Sequence, residues 1–146
     1  MKLKAMMEAS LYKMEFEKII NAVRLAGCDL LAEGEHIRIT NSTHLPASIK
    51  DKIKENKPLF LEILNRDTQA KQAGFMIGIS GEMYTRSLSK SSMVYIEQIG
   101  SNWEAWRETY RKNIPKAISV KSICKAATFE YVLLMVERYF NILSGK

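Results

Sequence analysis

Apolar positions near the start of the chain recur at helical spacing and are followed by a glycine. This spacing predicts a helix over about residues 13–26. Arg24 near its end suits the helix dipole, and Gly27 suits the left-handed conformation in which many helices end. The apolar face of this helix consists of Phe16, Ile19, Ile20 and Val23.

The pattern then changes to one that is typical of strands. A short apolar run at residues 28–32 and an alternating run at 36–40 flank an acid-glycine-acid turn centred on Gly34. Glycine adopts positive φ without strain, so the pattern predicts a β-hairpin. Ile37 and Ile39 are predicted to face inward. The outer face of the second strand is predicted to carry His36, Arg38 and Thr40.

Two prolines organise the segment that follows. Pro46 can take the first position of a helix without losing a hydrogen bond, because the amide there is unpaired anyway. Lys57 precedes Pro58 and is therefore disfavoured in the α region, which ends that helix and lets Pro58 open the next. Ile49 and Ile53 lie on one face of the first helix. The second helix has a denser apolar stripe of Leu59, Phe60, Ile63 and Leu64.

The second part of the chain begins with a polar segment. Residues 67–74 are predicted to be a linker that ends at Gly74. Two segments of strand-like composition then flank Ser80-Gly81 and predict a second hairpin, and Ser92–Ile99 predicts a third strand. The glycines of this region lack the lysine and hydroxyl residues of a phosphate-binding loop, so tight turns are the favoured interpretation.

Two helices are predicted after these strands. Ser101 and Glu104 have the spacing of a capping box, which predicts that a helix begins there and ends at Pro115. Residues 122–143 predict the longest helix, which is apolar over more than half of its circumference and therefore has to be covered. A dimer is the natural way for a chain this small to cover it. The first of these helices is predicted to align Trp103, Trp106 and Tyr110 on one stripe.

Together these elements predict an α+β protein. Residues 1–66 form an αββαα module, residues 67–74 a linker, and residues 75–146 a small half with three strands and two helices, the last of them long and apolar.

The order of elements in residues 13–66 resembles the TubC-type N-terminal docking domain, a family found at the ends of megasynthase subunits, with related stretches in small bacterial and mobile-element proteins. The resemblance ends near residue 66. It implies an αββαα fold, often dimeric, in which the exposed hairpin accepts a partner's short acidic segment, and it implies that His36 and Arg38 face that partner. The matching positions are Gly27, Leu30, Leu31, Gly34, Ile37, Ile39, Leu45, Ile49, Ile53, Lys57, Phe60, Ile63 and Leu64.

The net charge of +6 is concentrated in the second half of the chain. The segment from Arg107 to Lys125 contains six basic residues and a single acidic one, Glu108. Such a block attracts anionic partners, and it is equally typical of a solvated surface. Aromatic rings beside guanidinium groups could hold bases and phosphates, whereas core packing with Arg–Glu pairs along the helix is the alternative. The candidate nucleic-acid-binding residues are Trp103, Trp106, Arg107, Tyr110, Arg111, Lys112, Lys116 and Lys121.

Catalytic and metal-binding patterns are missing from the sequence. Neither His36 nor His44 has a cysteine at metal-ligand spacing, so we predict no metal site and no cofactor. Cys28 with a histidine could form a thiol–imidazole pair, but a small buried hydrophobe is the favoured interpretation. The carboxylates are scattered among lysines rather than paired, so we predict a protein without catalytic activity.

The cysteines and the apolar runs bear on the compartment. Cys28 and Cys124 lie far apart and no secretory signal is present, which favours free thiols in a reducing cytoplasm. Charged residues interrupt the longest apolar run, so we predict no membrane segment.

Two functional hypotheses follow. The first is a docking or adaptor protein that self-associates and binds a protein partner through an acidic segment. The alternative is a mobile-element or phage factor that binds DNA or RNA, or inhibits a nucleic-acid enzyme, through a basic and aromatic surface.

Overall fold

The computed structural model describes the backbone of residues 2–145 and the side chains of residues 13–145. The protein has an α+β fold, as predicted, and the chain divides into two compact units, Met1–Arg66 and Asp67–Lys146. The first elements are α1 (Lys2–Leu25), β1 (Asp29–Glu33), β2 (His36–Thr40), a short 3-10 turn (Ser42–His44), α2 (Ala47–Glu55) and α3 (Lys57–Gln72). They are followed by β3 (Met76–Ile79), β4 (Met83–Ser89), β5 (Ser92–Ile99), β6 (Asn102–Thr109), β7 (Ser119–Ala127) and α4 (Phe129–Leu143).

The apolar face of α1 fills the core of the first unit. Phe16 and Phe60 are both fully buried, and their rings meet edge to face at 4.9 Å between centroids. Such ring pairs add about 1 kcal/mol to the free energy of unfolding beyond the area that they bury. Gly27 ends α1 with a φ of 79°, in the left-handed region that was predicted for it. The chain then enters β1 through the buried Cys28.

The predicted hairpin is present. β1 and β2 pair antiparallel from Asp29 opposite Thr40 to Glu33 opposite His36, which leaves a two-residue turn. Gly34 takes a φ of 62° in that turn, where a residue with a side chain is strained.

The prolines act only in part as predicted, because Lys57, which was expected outside the α region, is the first residue of α3. Pro46 lies one residue before α2, with an extended ψ of 145°, rather than at its first helical position. Asn56 separates α2 from α3, and Pro58 is the second residue of α3, where the amide that proline lacks is unpaired in any helix. Ile53 is buried on α2, as its spacing indicated.

The predicted linker is largely helical. α3 continues through residues 67–72 and ends before Gly74, whose φ is 86°. The error comes from composition, because alanine, lysine and glutamine are polar or small but are also good helix formers. Asp67 and Ala70 are buried in the second unit, so this turn of helix belongs to a core rather than to a solvated connection.

The second unit is a five-stranded antiparallel sheet in the order β3-β4-β5-β6-β7, with α4 packed on one face. The ring of Trp103 on β6 meets that of Phe129 on α4 at 4.9 Å, and Tyr84 on β4 is fully buried beside both. α4 starts after Thr128, whose hydroxyl accepts a hydrogen bond from the Tyr131 amide. The other buried apolar residues of this core are Ala70, Phe75, Val94, Ile96, Ala105, Val132 and Val136.

Both helix predictions for this unit are corrected by the structure. The segment with the capping-box spacing is strand β6, and Trp103 and Ala105 point into the core as alternate residues of that strand. Residues 119–127 form β7, so the last helix begins at Phe129 and not at residue 122. Three strands and two helices were predicted for this half, whereas residues 75–145 contain five strands and one helix.

None of the helices in the described part of the chain is long and apolar enough to cross a membrane.

Candidate nucleic-acid interface

The five strands of the second unit form a meander, in which each strand pairs with the next one along the chain. This connectivity places basic side chains at one end of the sheet. The β4–β5 turn and the β6–β7 loop lie at the same end, because alternate connections of an antiparallel meander share an end. The amide of Tyr110 donates to the carbonyl of Ser91 at 2.7 Å, which joins the loop to the turn. The connections carry four exposed cations, Lys90, Arg111, Lys112 and Lys116.

Two more cations lie just below these connections, on the sheet face that α4 covers. Arg107 on β6 and Lys121 on β7 are directly opposite each other. Arg107 donates from Nη1 to the Tyr139 hydroxyl at 3.2 Å and from Nη2 to the Ser92 hydroxyl at 3.0 Å. The Nζ of Lys121 lies 5.9 Å from the centroid of the Tyr139 ring. We call the six residues Lys90, Arg107, Arg111, Lys112, Lys116 and Lys121 the basic end of the sheet.

The opposite end of the sheet is acidic. Glu82 lies in the β3–β4 turn, and Glu97 and Glu104 face each other across β5 and β6 near the β5–β6 turn. Like charges at paired positions repel, so these carboxylates make this end unfavourable for a polyanion. Lys125 on β7 also lies at this end, next to Cys124, which pairs with Ala105. The three carboxylates outnumber this lysine, so the strands and turns of this end have a negative balance of charge.

An aromatic cluster occupies the sheet face that α4 leaves uncovered. The rings of Tyr95 and Trp106 stack at 5.5 Å with an interplanar angle of 16°. The Tyr95 and Tyr110 hydroxyls lie 3.0 Å apart. Glu108 accepts from Trp106 Nε1 at 3.1 Å and from the Tyr110 hydroxyl, so both of its oxygens are engaged. The bond to Glu108, then that to Tyr95 and partial burial, raise the pKa of Tyr110 above its ordinary value.

The predicted nucleic-acid residues are thus divided among three places. Trp103 is 4% exposed and belongs to the core, whereas Trp106 and Tyr110 belong to the aromatic cluster on the uncovered face. The five basic residues all lie at the basic end. Sequence reasoning missed Lys90, Ser92, Thr109 and Tyr139, which the strand register brings to the same end. The alternation Trp-Glu-Ala-Trp-Arg-Glu-Thr in β6 was a signal for Thr109 alone, because the other three residues lie on other elements.

The hairpin of the first unit presents a second, mixed-charge surface. His36 and Arg38 are exposed on one face, as predicted, and Arg38 lies opposite Leu31, which is 43% exposed. Arg38 pairs with Glu33 at 3.0 Å across the strands. Thr40 is half-buried, and its hydroxyl accepts from the Asp29 amide at 2.8 Å, so it holds the strand ends together.

The charges of this hairpin favour an acidic partner at one position and disfavour it at others. Residues 28–40 contain three carboxylates, Asp29, Glu33 and Glu35, and one guanidinium, Arg38. We call Leu31, Glu33, His36 and Arg38 the hairpin surface. A partner that docks here has to place any carboxylate at Arg38 and keep it away from the turn.

The two thiols are free. Cys28 Sγ lies 3.3 Å from the Asn41 carbonyl, to which it donates. Burial raises the pKa of the Cys124 thiol. Among residues 2–145, no cluster of three histidine, cysteine or acidic side chains is arranged to hold a metal ion.

Comparisons of this chain with protein-family models, curated proteins and solved structures gave no match.

Proposed function

We propose that this protein is a non-catalytic interaction protein that binds nucleic acid through the basic end of its sheet. The observation that carries the proposal is the separation of charge in the second unit. Six cations lie at one end with Glu108, whose oxygens are already engaged, while Glu82, Glu97 and Glu104 lie at the other. A polyanion is attracted to one end and repelled from the other.

The spacing of the cations favours an extended polyanion over a single small ion. Lys90 and the loop residues Arg111, Lys112 and Lys116 lie on two different connections, and Arg107 and Lys121 lie on two strands beneath them. A chain of phosphates can contact all of these groups in turn, whereas one small anion contacts two or three.

The sheet face with the aromatic cluster limits the path that the nucleic-acid backbone can take. Tyr95 and Trp106 offer ring faces, but Glu97 and Glu104 lie on the same side of the sheet. Phosphates that crossed this face would approach both carboxylates. The backbone is therefore expected to follow the basic end, and base stacking is confined to the ring of the cluster nearest to that end, Tyr110.

The direct test is an anisotropy titration of the full chain with a labelled single-stranded oligonucleotide of about 20 nucleotides over about 50–200 mM salt. Four to six phosphate contacts predict a slope of about −3 to −4 in log affinity against log salt. The same chain should bind duplex DNA or RNA with a comparable salt dependence, since the contacts are to phosphates. Absence of binding at the lowest salt, or binding that salt leaves unchanged, would contradict the proposal.

A second candidate function is protein docking through the hairpin surface. It is supported by the exposed pair His36 and Arg38 beside the exposed Leu31, on a hairpin whose other face packs into the core. It is also supported by the resemblance to the TubC-type docking domain. The partner would supply an apolar side chain for Leu31 and a carboxylate for Arg38.

Self-association through α4 is part of the same proposal. Tyr131, Leu134 and Ile142 are 51%, 43% and 75% exposed and lie along one face of that helix, with the exposed Arg138 between the last two. A second copy can cover this apolar face without any further partner. Two free thiols support placement of the protein in a reducing compartment such as the cytoplasm.

A further inference from the structure

Arg107 lacks the partner that a half-buried arginine usually has. Its terminal nitrogens donate to two neutral hydroxyls, those of Tyr139 and Ser92. Its Nε is buried and has no acceptor within the described part of the chain. No carboxylate among the described residues lies within ion-pair distance of this guanidinium. A buried donor without an acceptor and a cation without a counter-charge both destabilise the folded state.

A second cation lies beside Arg107 and further destabilises the folded state. Lys121 is the direct cross-strand neighbour of Arg107, and like charges at opposed positions repel. Lys121 also has no described carboxylate at ion-pair distance, and only the ring of Tyr139 lies near its ammonium group. α4 ends near this point, and its C-terminal dipole offsets only part of the repulsion.

Hydroxyl groups complete the surroundings of the two cations. Ser92 is 4% exposed, and its Oγ lies 3.3 Å from the Thr109 hydroxyl. The Ser92 and Tyr139 hydroxyls contact the guanidinium directly, and the Thr109 hydroxyl lies beyond that of Ser92. An arginine fork, an ammonium and hydroxyls from several directions suit the tetrahedral oxygens of phosphate better than a planar carboxylate.

We propose that Arg107, Lys121, Ser92, Thr109 and Tyr139 form a discrete site for one phosphodiester group, which anchors nucleic acid at the basic end. This inference rests on the proposed function and deepens it, because it names the position at which the backbone is held. The exposed Lys121 meets the phosphate first, and Arg107 follows with its terminal nitrogens. The loop cations then contact the neighbouring phosphates and set the direction of the strand.

The test compares three variants of the full chain in the oligonucleotide titration. Lys121→Gln removes an exposed cation of the site, and Arg107→Lys keeps the charge but removes the fork. Lys125→Gln is the matched control, because Lys125 is an exposed lysine of the same strand outside the site. We expect Lys121→Gln to weaken binding about fivefold and to lower the salt slope by about one. Arg107→Lys should also weaken binding by about fivefold, and Lys125→Gln should leave it within about twofold of the original.

The possible results separate the site from the general function. If the oligonucleotide binds and all three variants match the original chain, or if Lys125→Gln weakens binding as much as Lys121→Gln, the site is overturned while nucleic-acid binding stands. If nothing binds at low salt, both proposals fall. Lys121→Gln alone decides the matter if Arg107→Lys does not fold.

Inorganic phosphate and poly-glutamate identify the source of the anion. We expect neither to displace the oligonucleotide when its concentration of anionic groups equals that of the nucleic acid. Displacement by phosphate would overturn the phosphodiester assignment in favour of a site for the free ion. Displacement by poly-glutamate would show that charge alone is recognised, which also overturns it.

Discussion

The buried carboxylate of Asp67 shows how one side chain fixes a turn. It is 6% exposed and accepts from the Gly81 amide at 2.6 Å, the Tyr84 hydroxyl at 2.5 Å and the Ser80 hydroxyl. Three donors compensate for the burial of a charge and join the start of the second unit to the β3–β4 turn. This role could not be predicted from composition, because Asp67 is the first residue of the polar segment that was predicted to be a linker.

We predict that Asp67→Asn lowers the free energy of unfolding of the second unit by about 2–3 kcal/mol, because an amide group then faces donors that had a charged acceptor. Tryptophan fluorescence in a urea titration measures this unit specifically, since both tryptophans lie in it. Glu137→Gln, at an exposed position of α4 in the same unit, is the control and should change the free energy of unfolding by less than about 0.5 kcal/mol. Equal stability of the two variants would contradict the role given to Asp67.

At the scale of elements, the sequence predicted the hairpins and failed at β6. Residues 28–32 form a short apolar run and residues 36–40 alternate, and the glycine turn between them favours a hairpin. In β6, Trp103 and Ala105 fit a strand, whereas Trp103, Trp106 and Tyr110 fit a helix equally well. The capping-box residues favoured a helix on local grounds. The segment is nevertheless a strand, because it pairs with β5 on one side and with β7 on the other. Contacts between distant strands cannot be derived from local spacing.

The hairpin surface gives the prediction at this scale. Arg38→Glu should weaken binding of a labelled peptide containing acidic and apolar residues by about tenfold, because the carboxylate that Arg38 would pair with meets a like charge. Lys54→Glu makes the same charge change at an exposed position of α2 and should alter the affinity by less than about twofold. Anisotropy of the peptide measures both. Equal affinity of the peptide for the two variants would contradict docking through the hairpin surface.

At the scale of the whole molecule, the sequence predicted that the net charge is positive but not where the charged side chains lie on the sheet. The block from Arg107 to Lys125 was visible as a basic segment. The meander then brings Lys90 from another connection to the same end and leaves Lys125 further along β7. The separation of the basic and acidic ends thus follows from the order and register of the strands.

The exposed apolar face of α4 gives the whole-molecule prediction. Leu134→Glu should convert the proposed dimer into monomers at micromolar concentration, because a carboxylate would be buried in the interface. Ile99→Glu is the control, since Ile99 is 47% exposed at the end of β5 and lies outside this face. Sedimentation velocity distinguishes the two states. A monomeric parent chain, or a dimer that survives Leu134→Glu, would contradict self-association through α4.

The most direct measurement of the central claim compares two triple variants in the oligonucleotide titration. One changes Arg111, Lys112 and Lys116 of the basic end to glutamine, and the other changes Lys50, Lys52 and Lys54 of α2, so that both lower the net charge equally. If position rather than total charge determines binding, the first variant should lose affinity by about thirtyfold or more and the second by less than about threefold. Equal losses in the two variants would show that the arrangement of charge on the sheet has no special part in recognition.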